Sequence, residues 1–331
     1  MPDHPAGKLT RAQIDLACQA QPALSGLPVS AVELTGGTQN ETWLLEFATG
    51  SRAVLRAAPL PDAPTGWDDR LLLRREVSIY PDFQPLHSLM PRLLAVDFSH
   101  EILPRDYLLQ TCLPGRRWAD LDETLDPAGR LALWEQLGQI TRRMHAITGP
   151  AFGYPPPAQS FARWSETVLD RFDHLLADFA RFGLKTASLA AFRRAAAENN
   201  IHLDELAAPC LLHGDLWPFN VLIDGESNPP LICGILDAEH AWWGDPLADW
   251  GMFLLSLRAD QPDWRAPIEA FQRGYGAALF RKEVLFRVRL YQGMHIALAM
   301  AQAARCADTA TLHKGENDLR AIAQHLFESQ S

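Results

Sequence analysis

Four polar residues in this sequence have the types and spacing to hold a cation beside a reacting hydroxyl. His213, Asp215 and Asn220 follow the order H-x-D-x-x-x-x-N inside Leu211-Leu-His-Gly-Asp-Leu-Trp-Pro-Phe-Asn-Val-Leu-Ile-Asp224, and Asp237 ends the later run Leu231-Ile-Cys-Gly-Ile-Leu-Asp. Val221 to Ile223 reads as a strand, Asp224-Gly-Glu-Ser-Asn-Pro-Pro as a turn, and Ile232 to Leu236 as a strand returning antiparallel. Such a hairpin brings Asn220, at the start of one strand, beside Asp237, at the end of the other. An amide oxygen and a carboxylate suit Mg²⁺, a hard ion that keeps waters and takes up substrate phosphates. Asp215, five residues before Asn220, would sit across from the ion, where it accepts or orients the proton of an attacking hydroxyl. Phosphoryl transfer uses this layout, because positioning and charge neutralisation supply most of its catalysis.

The segment His213-Gly-Asp-Leu-Trp-Pro-Phe-Asn220 resembles the catalytic loop of the aminoglycoside phosphotransferase and choline kinase family, small-molecule kinases with a protein-kinase-like fold. The resemblance makes Asp215 and His213 the catalytic candidates, with His213 shaping the loop through hydrogen bonds. It makes Asn220 a metal ligand and Asp237, within Leu236-Asp-Ala-Glu239, the second one. Gly244-Asp-Pro-Leu-Ala-Asp-Trp250 resembles the family pattern G-D-P-x-x-D, in which Asp249 braces the loop as a structural support. Asp245 reads as a turn residue. Glu239, two residues past Asp237, is a candidate for a second Mg²⁺ or for a substrate amine or hydroxyl. The resemblance spans residues 31 to 257, and the remainder matches only in being helical.

These groups need a partner lobe to hold a nucleotide. From Ala31 to Ala58 the texture is strand-like and reads as an antiparallel meander. Its first turn, Thr35-Gly-Gly-Thr-Gln-Asn-Glu-Thr-Trp43, resembles the family's G-G-x-x-N loop. Glycine permits close backbone approach and leaves N–H groups for phosphate oxygens, so Gly36, Gly37, Thr38 and Asn40 are nucleotide-binding candidates. A cation is then required on the third strand, with an acidic helical partner. Arg56 in Ala53-Val-Leu-Arg56 and Glu76 in Arg74-Arg-Glu76-Val-Ser-Ile-Tyr80 supply them, 20 residues apart. Protein kinases place Lys where this chain has Arg56; no Lys occurs between Lys8 and Lys185, and only four of the 30 basic residues are lysines. Arginine is always charged and can grip phosphate with two nitrogens. The segment Asp106 to Gly115 resembles the kinase hinge, where adenine pairs with backbone groups between Leu109 and Leu113, and Gln110 and Cys112 stand there as further cofactor-binding candidates.

The chain around these motifs has 331 residues, long enough for two lobes. Thr10 and Gln13 form a capping-box pattern for a first helix, and a charged helix follows from Asp68 to Tyr80. Strands are expected at Pro91–Asp97 and Asp106–Cys112. Leu133, Leu137, Ile140, Met144 and Ile147 form one helical stripe, and helical patterns continue at Phe161–Phe182, Ser188–Asn199, Pro246–Leu257, Trp264–Phe280, Lys282–Cys306 and Glu316–Glu328. The expected fold class is α+β: a protein-kinase-like antiparallel-sheet lobe (1–112) and a mainly helical lobe (113–331) carrying the catalytic hairpin. The resemblance implies ATP and Mg²⁺ as cofactors.

Composition narrows the partners. A net charge of −10 disfavours nucleic acid, whose binding rests on Lys and Arg. No run approaches the roughly 20 apolar residues of a membrane span. Five scattered cysteines without a C-x-x-C pair fit a reducing compartment, and no signal peptide is visible, so a cytoplasmic location is expected. Trp217, Trp242, Trp243 and Trp250 cluster near Glu239, where cation–π contacts to an amine compete with plain core packing; Trp217, on the catalytic loop, is the substrate candidate. His145, His240 and His295 lack metal-ligand spacing. The acceptor expected is the hydroxyl of a small, aminoglycoside-, choline- or sugar-like molecule. The alternative to turnover, raised by Arg56, is a nucleotide-binding, pseudokinase-like regulatory protein.

Overall fold

Thr10 starts the first element as its pattern predicts. The Gln13 N–H donates to its hydroxyl (3.3 Å), and its own N–H donates to the Gln13 side chain (2.9 Å). The computed structural model describes residues 7–21, 24, 26–34, 40–61, 65–67, 71–250, 265–276 and 282–328. Along the chain run α1 (Arg11–Gln19), β1 (Pro28–Glu33), β2 (Glu41–Phe47), β3 (Arg52–Ala57), α2 (Leu72–Ile79), β4 (Leu93–Asp97), β5 (Tyr107–Thr111), β6 (Arg116–Arg117) and α3 (Trp118–Leu121). There follow α4 (Pro127–His145), β7 (Phe152–Gly153), β8 (Ser160–Phe161), α5 (Trp164–Arg181), α6 (Ala187–Glu198), α7 (Asn200–Leu203), β9 (Cys210–Leu212), β10 (Val221–Asp224), β11 (Leu231–Ile235) and β12 (Trp242–Gly244). Helices close the chain: α8 (246–250), α9 (Arg265–Tyr275), α10 (Lys282–Arg305) and α11 (Thr309–Glu328).

The first sheet is antiparallel, in the order β1-β2-β3-β5-β4. Strand periodicity of two sends Ala53, Leu55 and Ala57 of β3 to a core shared with Ile14, Ala17 and Cys18 of α1. Arg56 therefore faces the other way, toward α2. The predicted helix from Asp68 is shorter than expected within the described residues: α2 starts at Leu72 and gives way at Tyr80 to a 3₁₀ stretch, Tyr80–Leu89. Pro81 and Pro85 lack the N–H groups an α-helix would use there. Phe83 and Leu86 of that stretch join the large core of the helical region.

That region is built on α4, whose stripe of Leu133, Leu137, Ile140 and Met144 is buried. Asp126 caps it, accepting from the Gly129 N–H at 2.6 Å. α9 crosses α4 at backbone contact, since a Cβ on Gly274 would lie 1.9 Å from the Glu135 carbonyl oxygen. Two small sheets sit alongside, β11-β10-β6 and β8-β7-β12-β9. The second was not anticipated; its strands are two or three residues long, too short for a periodic signal. Phe161 pairs with Phe152 in it, so α5 begins at Trp164 rather than Phe161. α11 begins earlier than expected, at Thr309, with Asp308 accepting from the Thr311 N–H (3.1 Å). Of the helix predicted over Pro246–Leu257, residues 251–257 lie outside the described residues. No helix among the described residues is long and apolar enough to cross a membrane.

Candidate active site

The loop between β9 and β10 carries His213, Asp215 and Asn220. Gly214 turns it at φ +79°, and a Cβ there would meet the His240 carbonyl oxygen at 2.1 Å, so only glycine fits. Asp249, on α8, accepts the backbone N–H of His213 (2.9 Å) and of Gly214 (2.7 Å). His145, at the end of α4, lies 3.1 Å from the same carboxylate and 3.0 Å from the Tyr275 hydroxyl of α9. Burial works to raise the Asp249 carboxyl; the His145 hydrogen bond and charge, with the two N–H donors, outweigh it and hold the group below the usual range. Three elements of the helical region thus clamp one loop through one carboxylate.

His213 lies beneath the loop, in line with the loop-shaping role expected of it rather than with a role at the reacting atoms. It is fully buried, its Nδ1 faces the Asp215 N–H (3.4 Å), and burial holds its imidazole below the usual range. A neutral ring sealed under the loop can fix the backbone but cannot reach an acceptor. The Asp215 carboxylate is half-buried instead. Asn220 Nδ2 donates to its Oδ2 (2.7 Å) and to its backbone oxygen (2.8 Å). Burial pushes the Asp215 carboxyl up to about 6, against the opposing pull of His240 and of the Asn220 hydrogen bond.

The β10–β11 hairpin forms as read. Val221 opposes Ile235, and the Leu236 N–H donates to the Asn220 carbonyl (2.9 Å), which leaves Asp237 one residue beyond. Asp237 adopts a left-handed conformation (φ 59°, ψ 55°), unusual for a residue with a side chain, and its carboxylate is 44% exposed. The donor set fits a hard cation. The Asn220 amide nitrogen is spent on Asp215, leaving its oxygen and the open Asp237 carboxylate as oxygen ligands. The described residues contain no cluster of three or more His, Cys, Asp or Glu groups arranged around a metal.

Arg56 reaches the same place from the first sheet. It is 3% exposed, bonds Glu76 Oε2 at 2.7 Å and Glu239 Oε2 directly, and lies 3.3 Å from Asp237 Oδ1. Asn40 Nδ2, at the head of β2, also donates to Glu239. Burial raises the Glu76 carboxyl despite Arg56, and raises Glu239 to about 7; three acids share one guanidinium. Glu239, read from the sequence as a candidate for a second ion or an acceptor group, sits here with Arg56 and Asn40. It is 6% exposed, and its charge is engaged by Arg56 and Asn40.

The remaining candidates divide. Gly36, Gly37 and Thr38 lie outside the described residues. Gln110 is buried on β5, opposite Val54 and Leu93, and Cys112 is half-buried with its thiol 3.6 Å from the Leu113 carbonyl oxygen. Trp217 leans against Phe219 (4.4 Å between centroids, the rings tilted by 37°), which is itself exposed, whereas Trp242, Trp243 and Trp250 are core residues. Asp245, expected as a turn residue, is 1% exposed and receives Arg287 (2.9 Å), the Tyr291 hydroxyl (2.7 Å) and the Leu247 N–H (3.0 Å). His295 Nε2 lies 2.9 Å from the Ala248 carbonyl oxygen. The signal for these anchors was the spacing of Arg287, Tyr291 and His295, four residues apart on one helix face.

Comparison with known proteins follows the same lines. A family model described as "Phosphotransferase enzyme family" matches residues 30–291. No curated protein matches the chain. Among solved structures, the GDP and kanamycin complex of APH(2")-IIIa aligns at TM-score 0.68 and 16% identity, covering 97% of this chain and 100% of that one. A putative aminoglycoside phosphotransferase from Ralstonia eutropha JMP134 aligns at 0.66 and 15%, covering 97% and 98%. A thermostable mutant of aminoglycoside phosphotransferase APH(4)-Ia, in ternary complex with AMP-PNP and hygromycin B, aligns at 0.65 and 17%, covering 91% and 95%. At such identities the likeness establishes the fold: α+β and protein-kinase-like, with a sheet-bearing N-lobe and a helical C-terminal region.

Proposed function

The chain belongs to the phosphotransferase enzyme family, and from that premise we propose that it transfers the γ-phosphoryl group of ATP to a hydroxyl of a small molecule. The observation that carries this reading is the double hydrogen bond from the Asn220 amide to Asp215. It fixes one carboxylate oxygen and leaves the other for an acceptor hydroxyl. Burial pushes its carboxyl up to about 6, which keeps Asp215 basic enough to take a proton as the hydroxyl attacks. Asn220 and Asp237 would hold Mg²⁺, which neutralises phosphate charge when bound. Arg56, aimed by Glu76 and Glu239, would face the nucleotide phosphates. Gln110 and the backbone from Leu109 to Leu113 would hold the base, and Gly36, Gly37 and Thr38 would cover the phosphates. We take residues 1–112 as the nucleotide lobe and 113–331 as the lobe that supplies catalytic and acceptor groups, with a cytoplasmic location.

For the acceptor we favour a small polar alcohol, of aminoglycoside-, choline- or sugar-like type. Trp217 against the exposed Phe219 ring offers it an aromatic surface beside the catalytic loop. Magnesium-dependent ADP release over a panel of such alcohols is the test. Asp215→Asn should lower turnover by about 10²- to 10⁴-fold while leaving ATP affinity nearly unchanged. Near wild-type turnover in that variant overturns the assignment.

A further inference from the structure

α4 and α9 meet at backbone contact, and their last residues meet with them. A Cβ on Gly138 of α4 would lie 2.2 Å from the Phe271 carbonyl oxygen of α9, and one on Gly274 would lie 1.9 Å from that of Glu135. Only glycine permits such an approach. Gly138 and His145 are two helical turns apart, so the face of α4 that docks on α9 also carries the imidazole. Tyr275 closes α9 beside it. The Tyr275 ring stacks on Phe271 (6.0 Å between centroids) and meets Trp250 edge-on (4.5 Å), so packing alone holds the ring in place. Its hydroxyl is committed elsewhere, 3.0 Å from His145 Nδ1.

The chemistry of the partners assigns the donors. Asp249 already accepts two backbone N–H groups, and its carboxyl is held below the usual range, so it is an ionised group that only accepts. His145 Nε2, 3.1 Å away, is therefore the nitrogen that must carry a proton. Burial raises the Tyr275 hydroxyl, which keeps its own proton. Facing the bare Nδ1 of a neutral ring, that hydroxyl donates; facing a cationic ring, it accepts. In either state it satisfies Nδ1 and holds the ring with Nε2 toward Asp249. The His145 side chain is only 3% exposed, so bulk water is poorly placed to take over from the hydroxyl.

We infer that Tyr275 is a positioning residue for the loop from His213 to Asn220, acting through His145 and Asp249. On the phosphotransfer reading proposed for the chain, Asp215 is the group whose placement matters, and this role of Tyr275 rests on that reading. Without the hydroxyl, Nδ1 of a neutral ring is a buried acceptor with no donor, a costly arrangement. The ring escapes it by turning Nδ1 away or by carrying the proton there, and either move takes the N–H from Asp249. The carboxylate then holds the His213 and Gly214 N–H groups less firmly, and Asp215, next in the chain, loses its fixed seat. An outlying hydrogen bond that sets the orientation and tautomer of a histidine is a recurrent device at sites where the other ring nitrogen has work to do.

Tyr275→Phe tests this, since it keeps the ring against Phe271 and Trp250 and removes only the hydroxyl. Amide hydrogen exchange on the full chain at pH 8 should show the His213 and Gly214 N–H groups exchanging about tenfold faster, with α5 and α10 unchanged. Release of ADP from MgATP, with water as the acceptor, should slow by about tenfold at an unchanged KM for ATP. His145→Gln offers Asp249 an amide N–H that needs no partner at a second ring nitrogen. In that background Tyr275→Phe should change neither readout, because its path to the loop is already cut. Unaltered exchange in Tyr275→Phe, losses that add in the double variant, or a raised KM for ATP at constant kcat each overturns the role. Exchange as expected in a chain that releases no ADP with any alcohol or with water overturns the phosphotransfer reading instead and leaves the support of the loop by Tyr275 standing.

Discussion

Arg56 sets the charge balance of the site at the level of a single side chain. Glu76 and Glu239 are both buried against it, and Asp237 is close enough to feel it. Removing one partner of a buried ion pair typically costs about 3–5 kcal/mol, because the remaining charge is left uncompensated. Arg56→Met should show such a loss in urea denaturation at pH 8. The deficit should shrink toward pH 5. The stranded carboxylates would have folded-state pKa values above their unfolded ones, so protonation stabilises the variant as pH falls toward the unfolded value. A variant as stable as wild type at both pH values would mean the two acids do not depend on this guanidinium. Arg56→Lys should fold, with a raised KM for ATP, since an ammonium lacks the fork that engages Glu76 and Glu239 together. The sequence announced Arg56 and Glu76 through strand, helix and spacing. It said nothing of Glu239 as their third member, because Glu239 lies 183 residues from Arg56.

Among elements, α10 has more to do than its plain helical pattern suggested. Arg287 and Tyr291 hold Asp245 just ahead of α8, and His295 holds the Ala248 carbonyl just before Asp249. The brace on the loop from His213 to Asn220 is thus itself anchored by a helix more than 40 residues later. Burial lowers the His295 imidazole to about 4, against a usual 6.5. Between those values the unfolded chain binds the proton and the folded one does not, so stability must fall as pH drops through that window. From pH 7.5 to 5.0 the contribution of this one group is about 2 kcal/mol. Urea unfolding of His295→Gln should show a pH slope smaller by about that amount; an unchanged slope would mean that the imidazole is not held neutral. The apolar stripes of α4 and the cap of α1 were readable because a helix repeats its own pattern within a few residues. β7, β8 and β12 were not, since strands of two or three residues carry no period.

For the whole molecule, the N-terminal sheet lobe and the helical region meet where Arg56 reaches Asp237 and Glu239, and Asn40 reaches Glu239. A ligand bound there should stabilise both together. At a hundredfold excess over Kd this amounts to about 2.7 kcal/mol, or a rise of several degrees in Tm. MgATP should give the full rise and ATP with EDTA a smaller one, and Asn220→Ala should lose the magnesium-dependent part; equal shifts with and without metal in the wild type would count against Asn220 and Asp237 as ligands. The hairpin that carries Asn220 and Asp237 was determined by residues 211–239 themselves, since alternation, a Pro- and Gly-containing turn and fixed spacing act between near neighbours. What closes around it was decided only in three dimensions. His145 finds Asp249 across 104 residues and Asn40 finds Glu239 across 199. Contacts of that range depend on how whole elements pack, and no local pattern of residues encodes them.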